Sequence, residues 1–316
     1  MHSRGWRRED IAPPGPTPPP TANRGFVRRL LYGAPVLPRN AKILDQVRAE
    51  ALRRGIPADD VERWLGLARP SALLTQGGDG PVVGAIRGPV MLPVDAEDPE
   101  YPLIATIDCA ALPTDVTDLP LPSDGQLLLF GWPEESGYGE VMYVPAGVAV
   151  EEREQYPPDF PPDEEEFAEV YAEIPPGDLH LTVDISLPYV KTIPGPPWSP
   201  PLPGDPPFEE MTKVWQEVLG GLPDGMFSPG TWMPLLLGGY GTDCNGFNPA
   251  WLGANPSGRS GGSMPGDGPP DHGDWVLLAE FHGGRQGGAS IHWVIQRVDL
   301  KDRRFDQASV LVYWNP

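Results

Sequence analysis

From Asp274 to Trp314 the chain alternates apolar runs with short breaks in a way that best suits β-structure. Trp275, Val276, Leu277, Leu278 and Ala279 form a run that continues to Phe281, and a Gly-rich break from Gly283 to Gly288 follows. Ile291, Trp293 and Ile295 then alternate with His292, Val294 and Gln296, the period of two that sends successive side chains to opposite faces of a sheet. After a polar stretch, in which Asp299 is expected to cap a short helix over Leu300 to Arg304, Ser309 to Trp314 reads as a closing strand. No catalytic signature accompanies this pattern.

The rest of the chain is punctuated by 44 Pro and 38 Gly, which favours short strands joined by loops over long uninterrupted elements. Residues 1–38 are read as an extended, disordered Pro- and Arg-rich arm, because Pro13, Pro14, Pro16 and Pro18 to Pro20 crowd one stretch between arginines. Residues 39–70 read as a helical hairpin. Asn40 is the expected cap of a helix carrying Ile43, Leu44, Val47, Ala51 and Leu52, Gly55 stops it, and Pro57 opens a second helix with Val61, Trp64 and Leu65. Residues 71–316 then form a β-rich domain. Its expected strands include Ala72 to Thr75, Pro102 to Asp108, Gly125 to Phe130, Glu140 to Val144 and Leu179 to Leu187, with Val82 to Leu92 as a loop-rich passage. Phe208, Met211, Trp215 and Val218 mark one further helix, and the Gly/Ser/Pro-rich stretch from Gly253 to Gly273 is expected to be the most flexible internal loop. The fold class is therefore α+β: segmented antiparallel or mixed β-sheets with an N-terminal helical hairpin. The couplet Leu103 to Asp108 with Gly125 to Phe130 matches the couplet Leu277 to Phe281 with Ala289 to Ile295 in texture, which points to an internal duplication of a β-unit.

A formal charge of -21 argues against a protein that coats nucleic acid or an anionic membrane, and it suits a basic protein partner. The segment from Glu151 to Glu173 concentrates that charge, and Glu164, Glu165 and Glu166 are its candidate partner-binding residues. No apolar run approaches the ~20 residues that span a bilayer, and Cys109 and Cys244 show no C-x-x-C spacing. Two reduced thiols in a cytoplasmic protein is the simplest reading.

Resemblance enters through the strand couplets. Pro102 to Pro113 followed by Gly125 to Phe130, then Leu235 to Tyr240, Trp275 to Glu280, and Ile291 to Leu300 with Phe305 resemble, in order and spacing, the motifs of the YwqG-like family, a bacterial domain of unknown function. The resemblance runs from about Ser71 to the C-terminus and implies the fold without supplying an activity. The sequence departs from the family's pattern at Gly283 to Gly288, where a Trp-Gly-Asp is usual. It departs again at Thr106 and Glu280, where the family carries Gln.

Several residue groups could carry chemistry. His272, Asp274, His282 and His292 mix imidazole with carboxylate, yet their spacing fits no metal-ligand template, so no metal and no cofactor is expected. Cys244 has no designated base, and neither a G-x-S-x-G elbow nor a phosphate-binding loop is present. His292 faces away from Ile291, Trp293 and Ile295, which defines a candidate ligand cleft made of Tyr240, Asp243, Glu280 and His292. The preferred expectation is a non-catalytic interaction or regulatory protein, of the immunity or accessory type, with an acidic surface; the alternative is an enzyme or small-ligand binder using that cleft.

Overall fold

A computed structural model describes residues 38–132, 139–153, 171–188, 206–218, 235–241, 248–254, 274–283 and 289–314. The Pro/Arg-rich arm, Glu164 to Glu166, Asp243, Cys244 and the Gly/Ser/Pro-rich stretch up to Gly273 lie outside the described residues.

Two helices come first. Helix α1 (Pro38–Arg53) starts two residues before Asn40, which therefore sits inside the first turn and not at its cap. It ends where Gly55 adopts φ +81 and Ile56 N donates to Ala51 O at 3.1 Å, a left-handed stop that a side chain would strain. Helix α2 (Ala58–Leu65) follows Pro57, and a later helix α3 (Phe208–Val218) packs on both. Val47, Ala51, Val61, Trp64, Met211 and Val214 close a small core of their own, with Leu187, the residue after β8, reaching in.

Ten strands make one continuous sheet: β1 (Arg69–Thr75), β2 (Val82–Ile86), β4 (Leu103–Asp108), β5 (Gln126–Gly131), β6 (Gly139–Val144), β8 (Gly177–Ser186), β9 (Leu235–Gly238), β10 (Trp275–Gly283), β11 (Ala289–Gln296) and β12 (Ser309–Trp314). Across the sheet the order is β12-β11-β10-β9-β1-β8-β2-β4-β5-β6, and each neighbouring pair is antiparallel. Strands β3 (Val90–Pro93) and β7 (Val150–Arg153) form a separate two-stranded ribbon. The expected loop over Val82 to Leu92 is thus two strands broken at Arg87 and Gly88. Likewise, the acidic segment begins as a strand, because Arg153 caps the ribbon by donating to the carbonyls of Pro93, Val94 and Ala96.

The sheet curls until its two ends nearly meet. Trp293 Nε1 on β11 donates to Phe130 O on β5 at 2.9 Å, and the Tyr143 and Phe305 rings lie 5.6 Å apart. The enclosed face holds the main core, drawn from almost every strand: Leu74, Ile86, Ile107, Leu129, Leu181, Leu237, Phe281, Ile291, Trp293 and Ile295. The outer face is covered piecewise. The helices lie at one end of β8, the ribbon lies over β4 and β5, and helix α4 (Pro249–Ala254) lies over β10 to β12. Between β11 and β12, helix α5 (Arg297–Lys301) sits three residues earlier than the sequence suggests. Asp299 lies inside this helix, half closed over by Arg304, whose amide and guanidinium both bond back to it.

Candidate functional site

The β10–β11 hairpin pairs Glu280 with His292 and His282 with Ser290. Because strand side chains alternate, all four share one face, while Phe281, Ile291 and Trp293 fill the enclosed core. This is the outer face that helix α4 covers. Leu236 of β9 stands opposite Glu280 and Leu311 of β12 stands opposite His292, so an apolar residue flanks the polar group on either side.

Glu280 is fully buried, at 0% exposure, with His292 at 2% and Ser290 at 9%. One carboxylate oxygen, Oε1, is in close contact with His282 Nε2. The other, Oε2, lies 3.2 Å from His292 Nε2, close enough for electrostatic attraction although its direction falls short of a hydrogen bond. His282 Nδ1 in turn meets Ser290 Oγ at 2.8 Å. Burial alone would push the Glu280 carboxyl up. The two imidazoles outweigh that and hold it well below the usual carboxylate range, so it stays ionised. A carboxylate in this position costs several kcal/mol to desolvate, on the order of what its partners return.

The chain crosses directly above this group. At the end of β9, Gly238 and Gly239 both take positive φ, and Gly241 then passes close to the carboxylate. A Cβ at Gly241 would stand 2.9 Å from Glu280 Oε2 and 2.6 Å from Pro249 Cγ, so glycine is what lets the backbone approach this closely.

Of the cleft proposed from sequence, the structure brings together Glu280 and His292. It turns Tyr240 elsewhere: its hydroxyl donates to Leu67 O at 2.7 Å, its amide donates to Ser186 Oγ at 2.8 Å, and the Arg69 guanidinium lies 4.7 Å above its ring. Tyr240 thus ties the loop to β1 and β8 and does not face Glu280. The four-residue metal grouping also changes. Asp274 is exposed and pairs with Arg297 at 3.0 Å, whereas His282 and His292 converge on Glu280. Among the described residues no three His, Cys, Asp or Glu side chains surround a metal position. Cys109 is buried at a strand end, where desolvation and then Asp108 and Asp124 push its thiol up to about 12, which leaves almost no thiolate at neutral pH.

Ser290 escaped the sequence reading. The register that sets Glu280 opposite His292 also sets His282 opposite Ser290, so extending that pairing by two residues would have found it. No protein-family model matches the chain, and no curated protein matches it.

Proposed function

We propose that this chain is a YwqG-like protein that binds, and acts on, a small ligand at the outer face of the β10–β11 hairpin. The observation that carries this reading is the fully buried Glu280 carboxylate clamped between two imidazoles, under a backbone crossing that only glycine permits. Sheet closure does not require such a group. Perturbed, specifically paired titratable residues concentrate at functional sites. The test is a thermal-shift screen of small metabolites repeated on Glu280→Gln and His292→Ala. A ligand whose shift is lost in both variants supports the reading; absence of any ligand across a broad screen removes it.

The placement of the two strand couplets supports the internal duplication. Outward from the central β1–β8 pair, β4–β5 and β10–β11 each occupy the second and third positions beyond their central strand. A second function, binding of a basic protein partner in the cytoplasm, is favoured by one feature. Exposed Val94, Val148 and Val150 lie at the β3–β7 ribbon beside Glu151 and Glu152, an apolar patch with an acidic rim. If that reading is right, neutralising Glu164, Glu165 and Glu166 together weakens binding of a Lys/Arg-rich amphipathic peptide. Unchanged affinity sinks it.

A further inference from the structure

The polar group on the β10–β11 hairpin has an internal order that goes beyond ligand binding. Glu280 Oε1 can only accept, so the contact from His282 Nε2 fixes the proton on that nitrogen. In the neutral ring the other nitrogen, Nδ1, then carries the lone pair, and it is this atom that meets Ser290 Oγ at 2.8 Å. A hydroxyl, a base whose unprotonated nitrogen faces it, and a carboxylate holding the base in that tautomer are the parts of a nucleophilic relay. His292, on the second oxygen of Glu280, holds the carboxylate in place.

We propose that Ser290 is a nucleophile and His282 its general base, with Glu280 and His292 as positioning residues, and that the substrate is a small carboxylic ester with a short apolar acyl group. The proposal rests on the ligand-binding reading above and assigns that site a reaction. Ser290 Oγ attacks the ester carbonyl carbon while its proton passes to His282 Nδ1. Collapse of the tetrahedral adduct breaks the carbon–oxygen bond to the alcohol, which leaves with that proton. Water then attacks the Ser290 ester by the same route, with His282 again taking and returning the proton, and the carboxylic acid and free Ser290 result. Glu280 remains ionised throughout and offsets the imidazolium charge that appears in each half-reaction.

Location and surroundings fit the substrate class. Ser290 stands one register position from the end of the β10–β11 ladder, beside the Gly283–Ala289 pair, at the loop end of the hairpin. Leu236, Val294 and Leu311 pack on the same outer face with Ala254 of α4 among them, so the surroundings of the polar group are apolar and suit an uncharged acyl group better than a charged one.

The experiment is active-site labelling of the full chain with an alkyl fluorophosphonate, read by intact mass and peptide mapping. One adduct per chain on Ser290 is expected, with none in Ser290→Ala. His282→Gln should slow labelling by roughly 10²–10⁴-fold, the usual contribution of a general base. Glu280→Gln should displace the pH profile of labelling, and Glu280→Asp should restore it in part, effects that a purely structural carboxylate would not produce. Should Glu280→Gln fail to fold, Ser290→Ala and His282→Gln still decide the matter. An unmodified Ser290 in folded protein, or an adduct mapped to another residue, overturns the proposal. If short-chain esters still shift the melting temperature of such unlabelled protein, the ligand-binding reading survives alone. If they do not, neither reading stands.

Discussion

The outer faces of two hairpins in this sheet meet the same packing problem and solve it differently. On β4 and β5, Leu103, Leu128 and Phe130 are covered by Val90 and Leu92 of the ribbon, with Val144 of β6 beside them, and no charged side chain is fully buried among them. On β10 and β11 the corresponding face carries Glu280, His282, Ser290 and His292, set between Leu236, Val294 and Leu311. The first solution shows that this sheet can cover an outer face without any buried charge. The second therefore adds a desolvation cost that folding does not need, which argues that the polar group is kept for what it does.

The contrast can be broken from the apolar side first. Trp293 fills the core behind the polar group and donates to Phe130 O, so Trp293→Ala should destabilise by about 3–5 kcal/mol in urea melts and loosen the seam where the sheet ends meet. Glu280→Ala, on the other face of the same hairpin, leaves the buried His282 and His292 without the carboxylate they face and should cost about 3 kcal/mol by the same measurement. Gly241→Ala pushes a methyl group against Pro249 and Glu280 Oε2 and should cost about 1–3 kcal/mol.

The pH dependence follows from the direction of the Glu280 shift. Its folded carboxyl sits below the unfolded value of about 4.3, so its contribution is fully present above that pH. It is lost as pH falls further, at no more than about 1.4 kcal/mol per pH unit for the single proton. Acid melts of Glu280→Gln should lack that component, and a variant that keeps the full slope contradicts the assignment. The smallest expected effect on stability sharpens the comparison most. Replacing Glu280, His282 and His292 together with Leu makes the second face resemble the first, and stability should be unchanged or higher while ligand binding disappears.

Much of the sheet could be read from residue patterns. Leu103 to Asp108, Gln126 to Phe130 and the β10–β11 hairpin carry enough apolar side chains between Gly and Pro breaks to announce themselves as strands. Strand β2 was missed because Gly84 interrupts its apolar run, and β7 because Glu151 and Glu152 look like loop. In both cases a partner strand supplies what local propensity lacks. That all ten strands join one sheet was not legible either, since β1 finds its neighbours far along the chain. The site was half legible. Alternation in β11 turns His292 away from the core, and Glu280 belongs to the same expected cleft; their direct pairing comes from the hairpin register. Tyr240 was misjudged because its destination depends on Leu67 and Ser186, distant in sequence.

The central position of β1 has a consequence for how the protein is made. Thr75 pairs with His180 on one side, and Leu74 pairs with Leu235 on the other. A ribosome delivering the chain from its N-terminus therefore releases this strand long before either neighbour exists. Its backbone donors and acceptors, and buried Ala72 and Leu74, must wait unpaired through most of synthesis. Pairings so remote in sequence are slow to close. The helices α1 and α2, made just before β1, are the elements at hand to shield it until the second half of the chain arrives.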